Sequence, residues 1–190
     1  MKKLCYAGIG SRRSDVSALQ AITKISKTLG DMGYYVRTGA ADGCDMAFAM
    51  GNPSRVIYYL PWAKYQRDFI NKVSGMNPII GCTEPSPIAI EQASNIHPNW
   101  SACGPGAQKL HGRNCHIING ASLNSPVDFV IAHTPDGLNT GGTSLGINYA
   151  SSLGIPVFNI GIDKDIIVDD VIDWVDSIEA SKDKSLPAFY

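Results

Sequence analysis

Several absences narrow the function of this chain. No apolar run approaches the roughly 20 residues of a membrane-spanning helix, and the Lys2-Lys3 start is not followed by the apolar stretch of a secretory signal. Both point to a cytoplasmic protein with no membrane partner. There is no surplus of positive charge: 16 Lys and Arg stand against 17 Asp and Glu, a net charge of −1. Proteins that live on nonspecific nucleic-acid contacts are strongly basic, so nucleic acid is not the expected partner. The five cysteines (Cys5, Cys44, Cys82, Cys103 and Cys115) are odd in number and contain no C-x-x-C. That is the usage of reduced thiols and not of a disulfide framework. The four histidines (His97, His111, His116 and His133) lack the i, i+4 pairing of a zinc helix with its glutamate, although His111 and His116 lie close. No metal site and no cofactor are expected. Neither a G-x-S-x-G elbow nor a Ser/His/Asp order occurs, and no catalytic residue is assigned.

What remains is a chain of 190 residues, 44% apolar, enough for one domain with a sizeable core. A single domain is expected over residues 1–180. The tail 181–190 follows, and its Phe189-Tyr190 end is a candidate to dock on a neighbouring surface. Residues 3–8 predict a buried strand. Ser14 is placed to cap the next helix, with Asp15 in its first turn; Val16, Leu19, Ile22, Ile25, Leu29 and Met32 form one apolar face that Gly33 ends. Strands are predicted at 34–38, 55–60, 128–133 and 155–160. Helices are predicted after Gly43, at 62–73, 87–97 and 104–119, after Gly141, and over the apolar positions from Val168 to Ile178; residues 74–87 predict a loop. Alternating strands and helices imply an α/β, Rossmann-like fold: a mainly parallel sheet with helices on both faces.

In such sheets ligands bind beyond the carboxyl ends of the strands, and three glycine-bearing turns fall there, at 8–13, 38–45 and 134–143. Each leads toward a helix start, where backbone N–H groups and the helix dipole favour anions. The first, Gly8-Ile9-Gly10-Ser11-Arg12-Arg13, departs from the dinucleotide fingerprint G-x-G-x-x-G. Arg13 stands where the third glycine belongs, and Asp31 precedes the second strand where the ribose-binding acid should end it. NAD oxidoreductase chemistry is thereby disfavoured. Gly8, Gly10, Ser11, Arg12 and Arg13 are candidates to hold phosphate, the guanidinium groups in bidentate fashion. Thr38, Gly39, Asp42 and Asp45 are candidates from the second turn, with ribose contact and helix capping both open to the two aspartates. Thr134, Asp136, Gly141, Gly142 and Thr143 are candidates from the third. Lys109 and Arg113, four apart on one helix face, suit either a ligand or solvent. Trp62, Tyr65 and Trp100 suit either base stacking or packing.

Taken together, Gly8-Ile9-Gly10-Ser11-Arg12, Thr38-Gly39-Ala40-Ala41-Asp42-Gly43-Cys44-Asp45 and Gly141-Gly142-Thr143 with the later Gly154-Ile155-Pro156-Val157-Phe158 resemble the SLOG superfamily. That superfamily contains the Rossmann-like domain of DNA-processing protein A and the LOG-type phosphoribohydrolases. The segment from Lys109 to Asn114 is most similar to small stand-alone members from phages and bacteria. The resemblance implies a homo-oligomer and a nucleotide-binding site at the strand carboxyl edge. LOG enzymes carry P-G-G-x-G-T-x-x-E, whose glutamate serves base cleavage; here Thr140-Gly141-Gly142-Thr143-Ser144-Leu145-Gly146 supplies neither the proline nor the glutamate. The expectation is therefore a protein that senses or sequesters a nucleotide-derived small molecule, such as a cyclic ADP-ribose signal or a cyclic nucleotide. A nucleotide N-glycosidase and a single-stranded DNA-binding module are the alternatives.

Overall fold

A computed structural model describes residues 4–138, 141–162 and 168–184, without the side chains of Asp136, Ile162 and 182–184. Expectations for Asp136 as a ligand and for the tail end Phe189-Tyr190 lie outside the described residues. Among the described residues, six strands and seven α-helices alternate in chain order except that two helices separate β4 from β5: β1 (Cys5–Gly10), α1 (Val16–Asp31), β2 (Tyr35–Thr38), α2 (Cys44–Gly51), β3 (Val56–Tyr59), α3 (Arg67–Ser74), β4 (Ile79–Cys82), α4 (Pro87–Ile96), α5 (Pro105–Asn119), β5 (Phe129–His133), α6 (Gly141–Ser152), β6 (Val157–Asn159) and α7 (Val168–Lys184). The strands form one sheet in the order β4-β3-β2-β1-β5-β6, and every pairing is parallel.

The alternation of side chains along a strand divides the core in two. Tyr6 on β1 faces one layer with Ile22, Ile25 and Leu29 of α1, Phe48 of α2, Ile70 of α3, and Val171 and Val175 of α7. Ala7 and Ile9 face the other, with Ala89 and Ala93 of α4, Ile117 and Ile118 of α5, and Leu145 and Tyr149 of α6. Chain order reverses at β1. One connection runs outward through β2 and β3, the other through β5 and β6, which opens a crevice beyond the carboxyl ends of β1 and β5.

Three expectations change. Residues 79–82 form an edge strand inside the predicted loop. The segment Ile79-Ile80-Gly81-Cys82 is short and partly exposed along its whole length, so it carries neither the length nor the alternation by which a strand shows itself. Second, β1 runs on to Gly10, beyond the predicted end at residue 8. Gly8 and Gly10 are thus paired in the sheet, opposite Ile131 and His133. Third, the cap of α1 is Asp15, whose carboxylate accepts the Ala18 N–H at 2.8 Å. Ser14 instead turns inward, where its hydroxyl meets His133 Nδ1 at 2.8 Å and Cys44 Sγ at 3.0 Å.

Candidate functional site

The crevice at the chain reversal is a cavity of about 960 Å³, near the upper end of the range for small-molecule sites. Its first wall is the β1–α1 turn together with the start of α2. These two segments interlock because glycine leaves room. A Cβ on Gly10 would come within 2.5 Å of the Cys44 side chain, and one on Gly43 (φ +80°) within 2.6 Å of Ser11 O. Backbone hydrogen bonds fasten the joint, Ser11 N–H to His133 O at 2.9 Å and Cys44 N–H to Ser11 O at 3.2 Å. Burial pushes the Cys44 thiol up to about 12, so it stays protonated at neutral pH. The same burial holds the His133 imidazole below its ordinary value.

From this wall Gly10, Ser11, Arg12 and Arg13 line the cavity. Arg12 and Arg13 are exposed, and among the described residues neither makes an ion pair. Gly8 does not line the cavity. A Cβ there would meet the Phe48 ring at 2.5 Å, so its role is to let α2 approach β1.

Between the walls lies a buried ion pair. Arg113 Nη1 donates to Asp45 Oδ2 at 3.0 Å, and the two side chains are 6% and 5% exposed. Burial pushes the Asp45 carboxyl up, while the adjacent guanidinium pulls it back. Arg113 reaches this position over Gly39, whose absent Cβ would fall 1.0 Å from Nη1. Both charged residues line the cavity, and Arg113 Nε is buried with no hydrogen-bond partner. Thr38 is fully buried with an unpartnered Oγ1 and, like Gly39, is not among the lining residues. Asp42 is exposed and accepts from Gln66 Nε2 at 3.1 Å. Lys109 pairs with Glu84 at the surface.

The third side comprises Thr134, Gly141, Gly142 and Thr143, all of which line the cavity. The Thr134 hydroxyl accepts from Asn159 Nδ2 at 2.7 Å, which ties β5 to β6. Asn114 Nδ2 donates to Gly142 O at 3.1 Å, joining α5 to the start of α6.

Sequence reasoning did not find the remaining wall, made by His97, Pro98, Ala107, Leu110, His111 and Asn114. Proline and glycine around residues 98–106 break any periodicity there, and only the fold carries this segment to the crevice. The rings of His97 and His111 lie 4.6 Å apart, with Trp100 5.9 and 6.1 Å from them. Burial, and then the His97 and Arg113 charges, bring His111 down to about 4. Trp62 packs edge-on against Tyr65 and neither lines the cavity.

No protein-family model matches the chain, and no curated protein matches its sequence. Solved structures do. DNA processing protein A from Helicobacter pylori, described for its unique single-stranded DNA binding mode, is similar at a TM-score of 0.58 and 18% identity. The match covers 83% of this chain and 65% of that one. DNA processing protein A from Streptococcus pneumoniae is similar at a TM-score of 0.57 and 16% identity, over 82% of this chain and 49% of that one. The chain thus spans between about half and two thirds of the length of these proteins. It has their Rossmann-like fold, as the SLOG resemblance implies.

Proposed function

We propose that the cavity binds a phosphate-bearing, nucleotide-derived small molecule and holds it without cleaving it. The observation that carries this reading is the local charge. Arg12, Arg13 and Arg113 all line the cavity, and Asp45 is the carboxylate among its described lining residues. That carboxylate is already held by Arg113. A chain with a net charge of −1 therefore keeps a cationic surplus at one place, and Arg12 and Arg13 have their charge available to phosphate oxygens. The exposed start of α6 at Gly141-Gly142 adds backbone N–H groups on the opposite side.

Cleavage of an N-glycosidic bond needs a carboxylate to stabilise the developing sugar cation or to activate water. Asp45 is held by Arg113, Asp42 and Glu84 are engaged by Gln66 and Lys109, and among the described side chains neither Asp42, Glu84 nor Glu91 lines the cavity. This supports retention over hydrolysis. The test is ligand identity. Native mass spectrometry and thermal shift across mono-, di- and cyclic nucleotides and ADP-ribose are expected to find a bound species that survives long incubation intact. Release of free base from a nucleoside monophosphate rejects retention.

A second reading has one observation in its favour. The same fold occurs in a protein described by its single-stranded DNA binding mode. A strand crossing the site would contact several phosphates and give a steep fall of affinity with salt, whereas a small ligand contacts few. Fluorescence anisotropy of a short oligonucleotide at two salt concentrations separates the two.

A further inference from the structure

Three potential metal-ligating side chains meet beside the cavity, although no sequence spacing announces them. His97 caps the carboxyl end of α4, Cys103 ends the short 3-10 turn Trp100–Ala102, and His111 lies on α5. The intervening chain doubles back. One ring nitrogen from each histidine and the Cys103 sulfur all come within 4.8 Å of one another. Cys103 Sγ lies 3.7 Å from His97 Nε2 and 3.8 Å from Nδ1. Zn–S and Zn–N bonds of about 2.3 and 2.05 Å at a tetrahedral angle give a sulfur–nitrogen edge of about 3.6 Å. The sulfur and the His97 ring are thus already at ligand spacing, and a His111 nitrogen lies within 4.8 Å of both.

A second observation points the same way. His111 Nδ1 is buried and has no hydrogen-bond partner, a costly arrangement for an imidazole nitrogen unless something supplies the missing interaction. Hydrogen bonding within the loop is weak by comparison. Cys103 Sγ reaches Asn99 O at 3.8 Å, and Asn99 N–H reaches His97 Nδ1 at 3.2 Å. A metal on His97 Nε2 requires a proton on its Nδ1 and a thiolate at Cys103, so binding exchanges the Asn99 N–H and Cys103 S–H contacts for metal bonds.

We propose that His97, Cys103 and His111 form a site for a borderline-soft divalent transition ion, zinc foremost, with its fourth coordination position open to the cavity. Two imidazoles and a thiolate suit zinc, and hard cations such as magnesium prefer oxygen. Three protein ligands leave one position for water or an incoming ligand atom. His97 and His111 line the cavity while Cys103 does not, so two of the three ligands stand at the cavity wall. Arg113, two residues along α5 from His111, opposes a dication there. Its pairing with Asp45 and the charge of the Cys103 thiolate offset that repulsion. The inference does not depend on a nucleotide occupying the cavity.

The test is titration of the metal-stripped full chain with Co²⁺, the spectroscopic substitute for zinc. One equivalent is expected to produce a near-ultraviolet thiolate-to-metal charge-transfer band and strong visible bands of four-coordinate cobalt, both removed by Zn²⁺. Cys103→Ser should abolish the charge-transfer band and weaken binding beyond the ~10–100-fold loss typical of a supporting partner. Cys82→Ser, at another thiol, should change neither. X-ray absorption of zinc on the wild-type chain should find one sulfur and two imidazoles, a readout independent of whether any variant folds. A first shell without sulfur, or a Cys103→Ser protein with the wild-type cobalt spectrum and affinity, overturns the proposal.

Discussion

The two walls of the cavity are built on opposite principles. The wall from Gly8 to Asp45 is a close-packed joint in which absent side chains are the design: Phe48, Cys44 and Arg113 occupy the spaces that Cβ atoms on Gly8, Gly10 and Gly39 would claim. The wall from His97 to Asn114 instead presents polar side chains, and two of their buried atoms, His111 Nδ1 and Arg113 Nε, have no hydrogen-bond partner. The glycine pattern that looks most like a binding fingerprint serves packing first. The polar groups that await a partner stand beside the packed glycines, at Arg12 and Arg13, and across the cavity at His111 and Arg113. Glycines at a strand end therefore report where backbone must come close, and a ligand is only one of the things that can come close.

The contrast is open to attack, most severely at the pair that joins the walls. Asp45→Ala leaves the Arg113 charge buried and unpaired, and a stability loss of about 3–5 kcal/mol is expected from urea denaturation. Adding Arg113→Met to it should recover much of that loss, because a well-packed apolar pair often replaces a buried ion pair at little cost. If Asp45→Ala alone proves neutral, the walls are not coupled through this pair.

On the packed wall, Gly10→Ala should cost about 1–3 kcal/mol, as expected of an overpacked joint. An equal substitution at the open Gly142 position, where a Cβ meets nothing within 4 Å, should fall within about 0.5 kcal/mol of wild type. At the exposed arginines, Arg12→Ala and Arg13→Ala should each leave stability within that same margin while weakening phosphate-ligand binding by about tenfold or more, the scale of one charge-assisted hydrogen bond. Calorimetry with the identified ligand measures it.

The smallest effect concerns pH. The folded chain keeps His133 neutral to lower pH than the unfolded chain does, because the imidazole is buried, with its Nδ1 against the Ser14 hydroxyl. Below about pH 6.5 the unfolded state takes up more protons and stability falls as pH falls. His133→Gln should flatten part of that slope in denaturation midpoints measured between pH 7 and 5.

Much of this was readable from residue order. The apolar stripe from Leu19 to Leu29 places the middle of the 16-residue α1, while Val16 and Met32 at its ends are exposed, and the runs in β1 and β5 are apolar because both sheet faces are covered. Gly10, Ser11, Arg12, Arg13, Asp45, Arg113, Thr134, Gly141, Gly142 and Thr143 do meet at one cavity, since strand carboxyl ends share an edge in any parallel sheet. Lys109 and Arg113 show where such reading stops. One turn apart on α5, they are equivalent in sequence. Yet a small displacement around the helix sends Lys109 to Glu84 at the surface and Arg113 under Gly39 to Asp45. The edge strand β4 escaped because four residues with a glycine carry too little pattern.

Sequence alone determined the layered fold and the edge that bears the cavity, because periodicity and turn chemistry act over neighbouring residues and dictate local structure wherever they are strong. Tertiary structure decided which arginine is buried and which are exposed, why Gly8 and Gly10 are glycine, and that His97, Cys103 and His111 stand together. Those outcomes depend on contacts between segments far apart in the chain, and packing fixes such contacts only once the sheet has brought the segments to a common edge.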